Sequence, residues 1–202
     1  MELELRDGKG GRYHIYADGE FIASVSPEVW YTLPDRLRED PGEEEITELK
    51  NEIAARKAYS SALRIVTVRA HSERELRVKL GRKYPPGAVD AAIDRCRDAG
   101  FINDREFAAL FARELAEKKR YGIMRIRQEL AARGVEREYV EEALDMPDVD
   151  FSENIRYIIE TRYYDCLDSE KGRRKLFAAL SRSGYGYDEI KEVLSDLGEE
   201  EV

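Results

Sequence analysis

The chain is poor in the residues that build disulfide frameworks and metal sites. Its 202 residues include two cysteines, Cys96 and Cys166, and two histidines, His14 and His71. It has no Cys-x-x-Cys pair, and both cysteines sit among apolar residues at helical spacing. We therefore expect two buried free thiols in a cytoplasmic protein, with no metal and no other cofactor.

Long hydrophobic runs and catalytic motifs are also lacking. No apolar run approaches the roughly 18 residues that a membrane-spanning helix needs, so no membrane partner is expected. The sequence contains no Gly-rich phosphate loop, no nucleophile elbow and no His near a candidate acid or nucleophile. An active site needs such convergent groups, and we therefore expect no catalytic residues and no enzymatic activity.

Charged residues, in contrast, are abundant and unevenly distributed. The net charge of the chain is −9. Residues 57–144 carry 19 Lys and Arg against 14 Asp and Glu, a net charge of +5, whereas residues 1–56 and 145–202 carry −7 each. A basic middle between acidic ends fits a partner with both signs of charge, such as a protein–DNA filament. Solvated helix faces explain the same pattern equally well.

The first 34 residues predict a small β attachment. Asp18-Gly19 favours a tight hairpin, because both turn positions need positive φ. Phe21, Ala23 and Val25 form the returning strand. Pro34 ends a short helical turn that begins at Ser26.

The rest of the chain predicts three-helix repeats. Gly100 suits the end of one helix, and Asn103 with Glu106 has the spacing of a capping box that starts the next. Phe101 and Ile102 precede this cap, where they can pack the turn into the core. Ser72 with Glu75 forms a second capping box.

The repeats match at an offset of 50 residues. The matched pairs are Phe101/Phe151, Phe107/Tyr157, Ile126/Leu176, Leu130/Leu180, Gly134/Gly184, Val140/Ile190 and Leu144/Leu194, and Leu76 and Leu80 precede Ile126 and Leu130 by the same interval. Such register indicates stacked units that share a core. The fold class is therefore mainly α, an elongated solenoid of three tandem three-helix repeats with a small N-terminal antiparallel β-hairpin or meander. We divide it into a β-rich attachment (1–34), an acidic linker (35–45) and helical repeats at 46–100, 101–147 and 148–202.

Basic residues recur on or just before the second helix of each repeat. We call the following fourteen the basic row: Arg74, Arg77, Lys79, Arg82, Lys83, Lys118, Lys119, Arg120, Arg125, Arg127, Arg133, Arg173, Arg174 and Lys175. Their recurrence favours a surface that binds phosphates or an acidic protein groove. Exposed helix positions paired with nearby Glu are the alternative.

Several of these stretches resemble the RecX family of regulatory proteins. The resemblance lies in Gly100–Ala108, in Tyr121–Gly134 with its sequence Tyr-Gly-Ile-Met-Arg-Ile-Arg-Gln-Glu-Leu-Ala-Ala-Arg-Gly, in Ser72–Leu80 and in Tyr13–Phe21. The turn at Lys83-Tyr84-Pro85-Pro86 is one residue shorter than is usual in that family, and the third repeat is divergent.

The resemblance implies a non-enzymatic protein that binds the RecA–DNA filament. Such a protein modulates, and most often inhibits, the ATPase, recombinase and coprotease activities of RecA, and so regulates DNA repair, homologous recombination and the SOS response. We expect it to act as a monomer, with single- or double-stranded DNA as a further partner. Two alternatives remain open: a stand-alone nucleic-acid-binding protein with helix-turn-helix-like units, and a helical scaffold for another protein.

Overall fold

The computed structural model describes residues 2–199 and confirms a mainly helical chain with a β attachment at its N-terminus. Three strands come first: β1 Leu3–Gly8, β2 Arg12–Ala17 and β3 Glu20–Val25. The ten α-helices within these residues are α1 Pro27–Tyr31, α2 Glu43–Val66, α3 Glu73–Gly81, α4 Pro86–Asp98, α5 Asp104–Glu117, α6 Ile123–Ala132, α7 Arg137–Leu144, α8 Phe151–Ile158, α9 Glu170–Arg182 and α10 Tyr187–Glu199. A 3-10 turn covers Asp35–Leu37, and α8 continues into a π-helical turn at Ile159–Tyr163 and a 3-10 turn at Tyr164–Cys166.

The chain divides into two compact units. The first contains the described residues through Arg69 together with Leu76–Ile102. The second contains Ala70–Glu75 and the described residues from Asn103 onwards. The first turn of α3 thus packs with the second unit and the rest of that helix with the first. The five-part division and the elongated stacking proposed from the sequence stay predictions.

The β attachment is an antiparallel sheet in the order β1-β2-β3. Asp18 and Gly19 have φ values of 46° and 84°, which confirms the tight hairpin between β2 and β3. A β-bulge at Ile15/Tyr16 shifts the register, so that Phe21 lies opposite Tyr16. Ala23 and Val25 are buried, whereas Phe21, beyond the bulge, is 53% exposed.

One face of the sheet packs on the first half of α2. Ile15 and Val25 join Trp30 of α1 and Leu49 of α2 in one buried cluster. Leu37, in the segment expected to act as an acidic linker, is 1% exposed and belongs to the same cluster. Three strands alone form a marginal structure, and this helix supplies the second layer that they need.

Two helical repeats follow, each around its own core. The second half of α2 packs with α3 and α4 around Leu76, Leu80 and the buried Cys96. Helices α5, α6 and α7 enclose Ile126 and Leu130, both at 0% exposure. These apolar positions recur as the sequence predicts. Cys166, in contrast to Cys96, is only partly buried.

The turn into α5 follows its predicted capping in part. Asn103 Oδ1 accepts the backbone N–H of Glu106 at 3.1 Å, as expected for a helix cap. The Glu106 carboxylate reaches back to the Asn103 side chain, at 3.5 Å from Nδ2, rather than to its backbone N–H. Ile102 is buried, but Phe101 is 48% exposed, so its expected packing into the core is wrong. Of these two apolar residues, Ile102 is the one that packs the turn into the core.

The third repeat is built from α8, α9 and α10 around Ile155, Leu176, Leu180 and Ile190. It differs from the second repeat at Tyr157, which matches Phe107 in sequence. Tyr157 is 46% exposed, whereas Phe107 is 5% exposed. The guanidinium of Arg120 covers the Tyr157 ring, with Cζ 4.9 Å from the ring centroid.

A recurring contact joins the end of one middle helix to the start of the middle helix before it. The Ser72 hydroxyl donates to the carbonyl oxygen of Arg133 at 2.7 Å. Fifty residues on, the backbone N–H of Gly122 donates to the carbonyl oxygen of Ser183 at 2.8 Å. The glycines that follow these carbonyls, Gly134 and Gly184, have φ values of +77° and +96° and end α6 and α9.

Candidate functional site

The middle helix of each repeat buries one face and presents basic residues on the other. Leu76 and Leu80 of α3, Ile126 and Leu130 of α6, and Leu176 and Leu180 of α9 are the buried pairs. The two residues of each pair are four positions apart and therefore lie on the same face of their helix, which leaves the opposite face to solvent. This arrangement places most of the basic row at exposed or half-buried positions.

An arginine of the middle helix pairs with a carboxylate of the third helix in the first two repeats. In the first repeat Arg77 of α3 pairs with Asp90 of α4. In the second, Arg127 of α6 donates two hydrogen bonds to the Glu141 carboxylate of α7, from Nε at 3.0 Å and from Nη2 at 2.9 Å. This fork-shaped contact raises the pKa of Arg127 and lowers that of Glu141. Both side chains are nearly half exposed, so the pair contributes little to stability.

Glu129 is the centre of a less exposed cluster on α6. It accepts Arg125 Nη2 at 2.6 Å and Arg133 Nη1 at 2.8 Å. Arg133 also lies 3.6 Å from Glu75 and stacks on Phe111, with Cζ 4.2 Å from the ring centroid. The hydrogen bond from Arg133 is the main cause of the lowered pKa of Glu129. Arg133 thus has a packing role inside the second unit.

Arg120 is also held by internal contacts. Its backbone has φ +55°, and its carbonyl oxygen accepts the Tyr185 hydroxyl at 2.8 Å. Its guanidinium donates to Oδ1 of Asn154, which is 2% exposed and whose amide donates to the carbonyl of Ala116 at 3.1 Å. Burial raises the pKa of Tyr185, which keeps this donor protonated. Arg120 therefore links α5 to the third repeat.

The remaining members of the basic row lie at the surface. Lys118 lies 3.5 Å from Glu114, Arg174 hydrogen-bonds Glu170, and Arg173 donates to the carbonyl of Leu167 at 2.7 Å. Among the described residues, the following exposed side chains have no carboxylate within ion-pair distance: Arg74, Arg82, Lys83, Lys119 and Lys175. Lys79 is exposed on α3.

The structure distributes the basic row over both units. Arg77, Lys79, Arg82 and Lys83 belong to the first unit, and Arg74 belongs to the second with the remaining members. A binding role for the row therefore stays a prediction.

Sequence reasoning missed a second group of basic residues. Arg12, Arg56, Lys57 and Arg64 line a cleft of the first unit together with Lys83. The spacing of Lys57, Ser61 and Arg64 on α2 is a signal that could have found them, because residues three, four and seven apart share a helix face. The contribution of Arg12 was hidden, since it comes from a distant strand.

Residues 2–199 offer neither a metal-ligand cluster nor a membrane-spanning helix. No group of three or more His, Cys, Asp or Glu side chains in this part of the chain is placed to hold a metal ion. Within the same residues, every helix is too short or too polar to cross a membrane.

Comparison with known proteins finds one family. The description "RecX, first three-helix domain" matches residues 58–96, and "RecX, second three-helix domain" matches residues 103–144. Both ranges cover repeats seen in the structure: the first spans α3 and most of α4, and the second spans α5, α6 and α7.

Individual relatives extend this similarity over the whole chain. The regulatory protein RecX of Clostridioides difficile (strain 630) is 28% identical over 199 residues, which cover 97% of this chain and 94% of the relative. That of Chlorobium phaeobacteroides (strain BS1) is 31% identical over 144 residues, 70% of this chain and 94% of the relative. A crystal structure of regulatory protein RecX matches the fold with a TM-score of 0.70, at 24% identity, over 96% of this chain and 97% of that one.

These relatives are named regulatory proteins, which agrees with the expectation of a non-enzymatic chain. The similarity covers the first two repeats and, in the relative from Clostridioides difficile, nearly every residue of either protein. The chain belongs to the RecX family of regulatory proteins.

Proposed function

We propose that this protein binds the RecA–DNA filament in the bacterial cytoplasm and inhibits RecA. By this proposal it lowers the ATPase, recombinase and coprotease activities of RecA, and so limits recombination, DNA repair and the SOS response. The partner comes from the resemblance to the RecX family. The surface chemistry of the chain then supports a filament over bare DNA.

The observation that carries the proposal is the mixed charge around the basic row: some of its cations pair with carboxylates, whereas Arg74, Arg82 and Lys119 are exposed and pair with no carboxylate of the described residues. Members of the basic row with carboxylate partners include Arg77, Lys118, Arg125, Arg127, Arg133 and Arg174. A surface of alternating sign complements a partner that also presents both signs. Bare DNA presents phosphates alone, and each neighbouring carboxylate would weaken its attraction.

The proposed mode of action is occupancy of the filament surface. A protein that binds one state of a partner shifts the equilibrium toward that state by mass action. Binding to a filament form with low ATPase activity, or at the site where the next RecA subunit adds, would inhibit RecA without any chemical step by the bound protein. A monomer with three repeats offers several weak contacts to such a surface, and their combined strength can be large.

The test is the ATPase of purified RecA on single-stranded DNA, with increasing amounts of this protein. We expect inhibition at amounts equal to RecA or lower, at both low and physiological salt. An unchanged rate at every ratio and salt concentration would refute the proposal, and an increased rate would refute its inhibitory sign.

Direct DNA binding without RecA separates this proposal from the stand-alone alternative. The alternative predicts tight DNA binding that falls steeply with salt, since each phosphate contact releases a counterion. If DNA affinity alone, measured in parallel, accounts for the loss of RecA activity through competition for DNA, the alternative is favoured. Inhibition on preformed filaments at a salt concentration that abolishes DNA binding favours the filament.

A further inference from the structure

A basic cleft lies in the first unit, beside the β attachment. It opens between the ends of β2 and β3 and the middle of α2, and has a volume of about 540 Å³. Val25 and Ile53, both buried, form its apolar floor. We call it the α2 cleft. Of the basic row, Lys83 alone is among the described residues that line the cleft.

The α2 cleft concentrates positive charge. Its lining includes five cationic side chains, Arg12, Arg56, Lys57, Arg64 and Lys83. No Asp or Glu is among the described residues that line it. A concave surface of one sign focuses the electrostatic potential, and so attracts ions of opposite charge.

Most of this charge is not neutralised by the protein itself. Arg56 is the exception, with Nε 2.6 Å from Glu52 on the same helix. Arg12 is oriented by Ser24, whose Oγ and carbonyl oxygen accept its Nε and Nη2 at 3.0 and 2.9 Å, but both acceptors are neutral. Within residues 2–199, no carboxylate forms an ion pair with Arg12, Lys57, Arg64 or Lys83.

Lys57 occupies the least favourable position for a cation. Its side chain is half-buried, and the neighbouring charges that act on it most strongly include Arg12 and Lys83. Burial, together with repulsion from these two cations, lowers its pKa. A bound anion would offset this repulsion between the cations.

Hydroxyl groups complete the set of donors. Ser60 and Ser61 lie on the turn of α2 between Lys57 and Arg64, and the Ser61 hydroxyl lies 2.7 Å from that of Tyr84. Cations combined with hydroxyl donors recognise oxyanions through charge-assisted hydrogen bonds. Four cations without an internal partner suit a ligand that carries several negative charges. Phosphate groups carry several, whereas a carboxylate carries one.

We propose that the α2 cleft binds phosphate groups, supplied by a nucleoside phosphate or by a nucleic-acid strand. This site needs no RecA and is independent of the proposed function. It assigns a binding role to the β attachment, because Arg12 of β2 and the end of β3 form one wall.

The test uses the full chain and three probes in isothermal titration calorimetry at low ionic strength. The probes are inorganic pyrophosphate, ATP without metal, and a short oligothymidylate. We expect pyrophosphate to bind at a single site and to compete with at least one of the other two. Tighter binding of ATP than of pyrophosphate, without competition from the oligonucleotide, identifies a nucleoside phosphate. Displacement of pyrophosphate by the oligonucleotide identifies a nucleic-acid strand.

Variants locate the binding site. Lys57→Gln should weaken pyrophosphate binding at least tenfold, equivalent to about 1.4 kcal/mol. Lys50→Gln removes the same charge from an exposed position of α2 outside the cleft, and should change affinity less than twofold. Arg64→Gln, at an exposed cleft position, should also weaken binding, and its exposure makes misfolding a poor explanation. The proposal is overturned if none of the probes binds, or if Lys57→Gln and Arg64→Gln affect binding no more than Lys50→Gln does.

Discussion

The backbone N–H of Gly122 lies 2.8 Å from the carbonyl oxygen of Ser183, so the start of α6 is held directly against the end of α9. The backbone N–H of Met124 donates to the carbonyl oxygen of Gly184, in the same turn as Ser183, at 3.2 Å. The backbones meet this closely because neither glycine has a side chain. Contact between the second and third repeats thus depends on small residues at two turns.

Gly122→Ala should destabilise the protein. A Cβ atom at this position would lie 2.4 Å from the carbonyl oxygen of Gly184, and backbone cannot move aside cheaply. We expect a loss of about 1–3 kcal/mol in the free energy of unfolding, as for other overpacked sites. Urea denaturation followed by circular dichroism measures it. Gly87→Ala is the control: a Cβ there meets nothing within 4 Å, and its effect should be neutral or slightly stabilising.

Leu130→Ala tests the shared core of the repeats. Leu130 is fully buried in the second repeat, and its loss leaves a cavity among α5, α6 and α7. We expect a cost of about 2–5 kcal/mol in urea denaturation. Met124→Ala on the same helix removes an exposed side chain and should change stability by less than about 0.5 kcal/mol. Similar losses in both variants would contradict the packing described here.

Arg120→Met tests the link between α5 and the third repeat. It keeps the length of the side chain but leaves Oδ1 of the buried Asn154 without its donor. An unsatisfied buried acceptor costs about 1–3 kcal/mol, so thermal unfolding should shift down by several degrees. The neighbouring Lys119→Met changes an exposed residue and should leave the unfolding temperature nearly unchanged. Equal unfolding temperatures for the two variants would contradict a structural role for Arg120.

Glu129 should make stability depend on pH in the acidic range. Its folded-state pKa is lowered, chiefly by the hydrogen bond from Arg133, so the folded protein binds its proton less readily than the unfolded chain. Its stabilising contribution is present above the unfolded-state pKa of about 4.3 and is lost as pH falls through the lower folded-state value. The stability difference between wild type and Glu129→Gln should therefore shrink as pH falls from about 6 to about 3. A constant difference in urea titrations across this range would contradict it.

Neutralising the basic row should weaken filament binding without unfolding the chain. The variant Arg77→Gln/Arg125→Gln/Arg127→Gln keeps the partner carboxylates, so the surroundings of each replaced arginine become acidic. All three side chains are more than 40% exposed, and little stability is lost with them. We expect the concentration needed for half-inhibition of the RecA ATPase to rise about tenfold, since complementary charges contribute to both association rate and affinity.

The matched control removes three other exposed arginines that pair with carboxylates. Arg6→Gln/Arg36→Gln/Arg97→Gln loses the same total charge at positions outside the row. Its inhibition should stay within about twofold of wild type, because net charge alone acts weakly at physiological salt. If both triple variants inhibit alike, net charge rather than the row sets the affinity.

Local features were predictable from the sequence. The hairpin at Asp18-Gly19 and the cap at Asn103 follow from neighbouring residues and from backbone chemistry that operates within a turn. The core positions of the repeats were predictable too, because burial recurs with the helical period. The helical period of burial and the N-terminal hairpin were together enough to predict the fold class.

Features that depend on distant residues were not predictable. Phe21 faces solvent because its own strand β3 carries a bulge at Ile22, and Phe101 is 48% exposed although the neighbouring Ile102 is buried. In the candidate sites, Arg127 pairs with a carboxylate on another helix, and Arg12 reaches the α2 cleft from the β-sheet. Periodicity and charge runs do not encode contacts between separate elements.

The edge of the small sheet has a consequence for self-association. Strand β1 pairs with β2 on one side, and an edge strand offers unpaired backbone groups to any second strand. Its exposed Glu4, Arg6 and Asp7 carry charge, and Arg6 pairs with Glu4 along the strand at 2.7 Å. An incoming strand would have to desolvate these charges. The charged side chains of β1 thus protect the attachment against edge-to-edge aggregation.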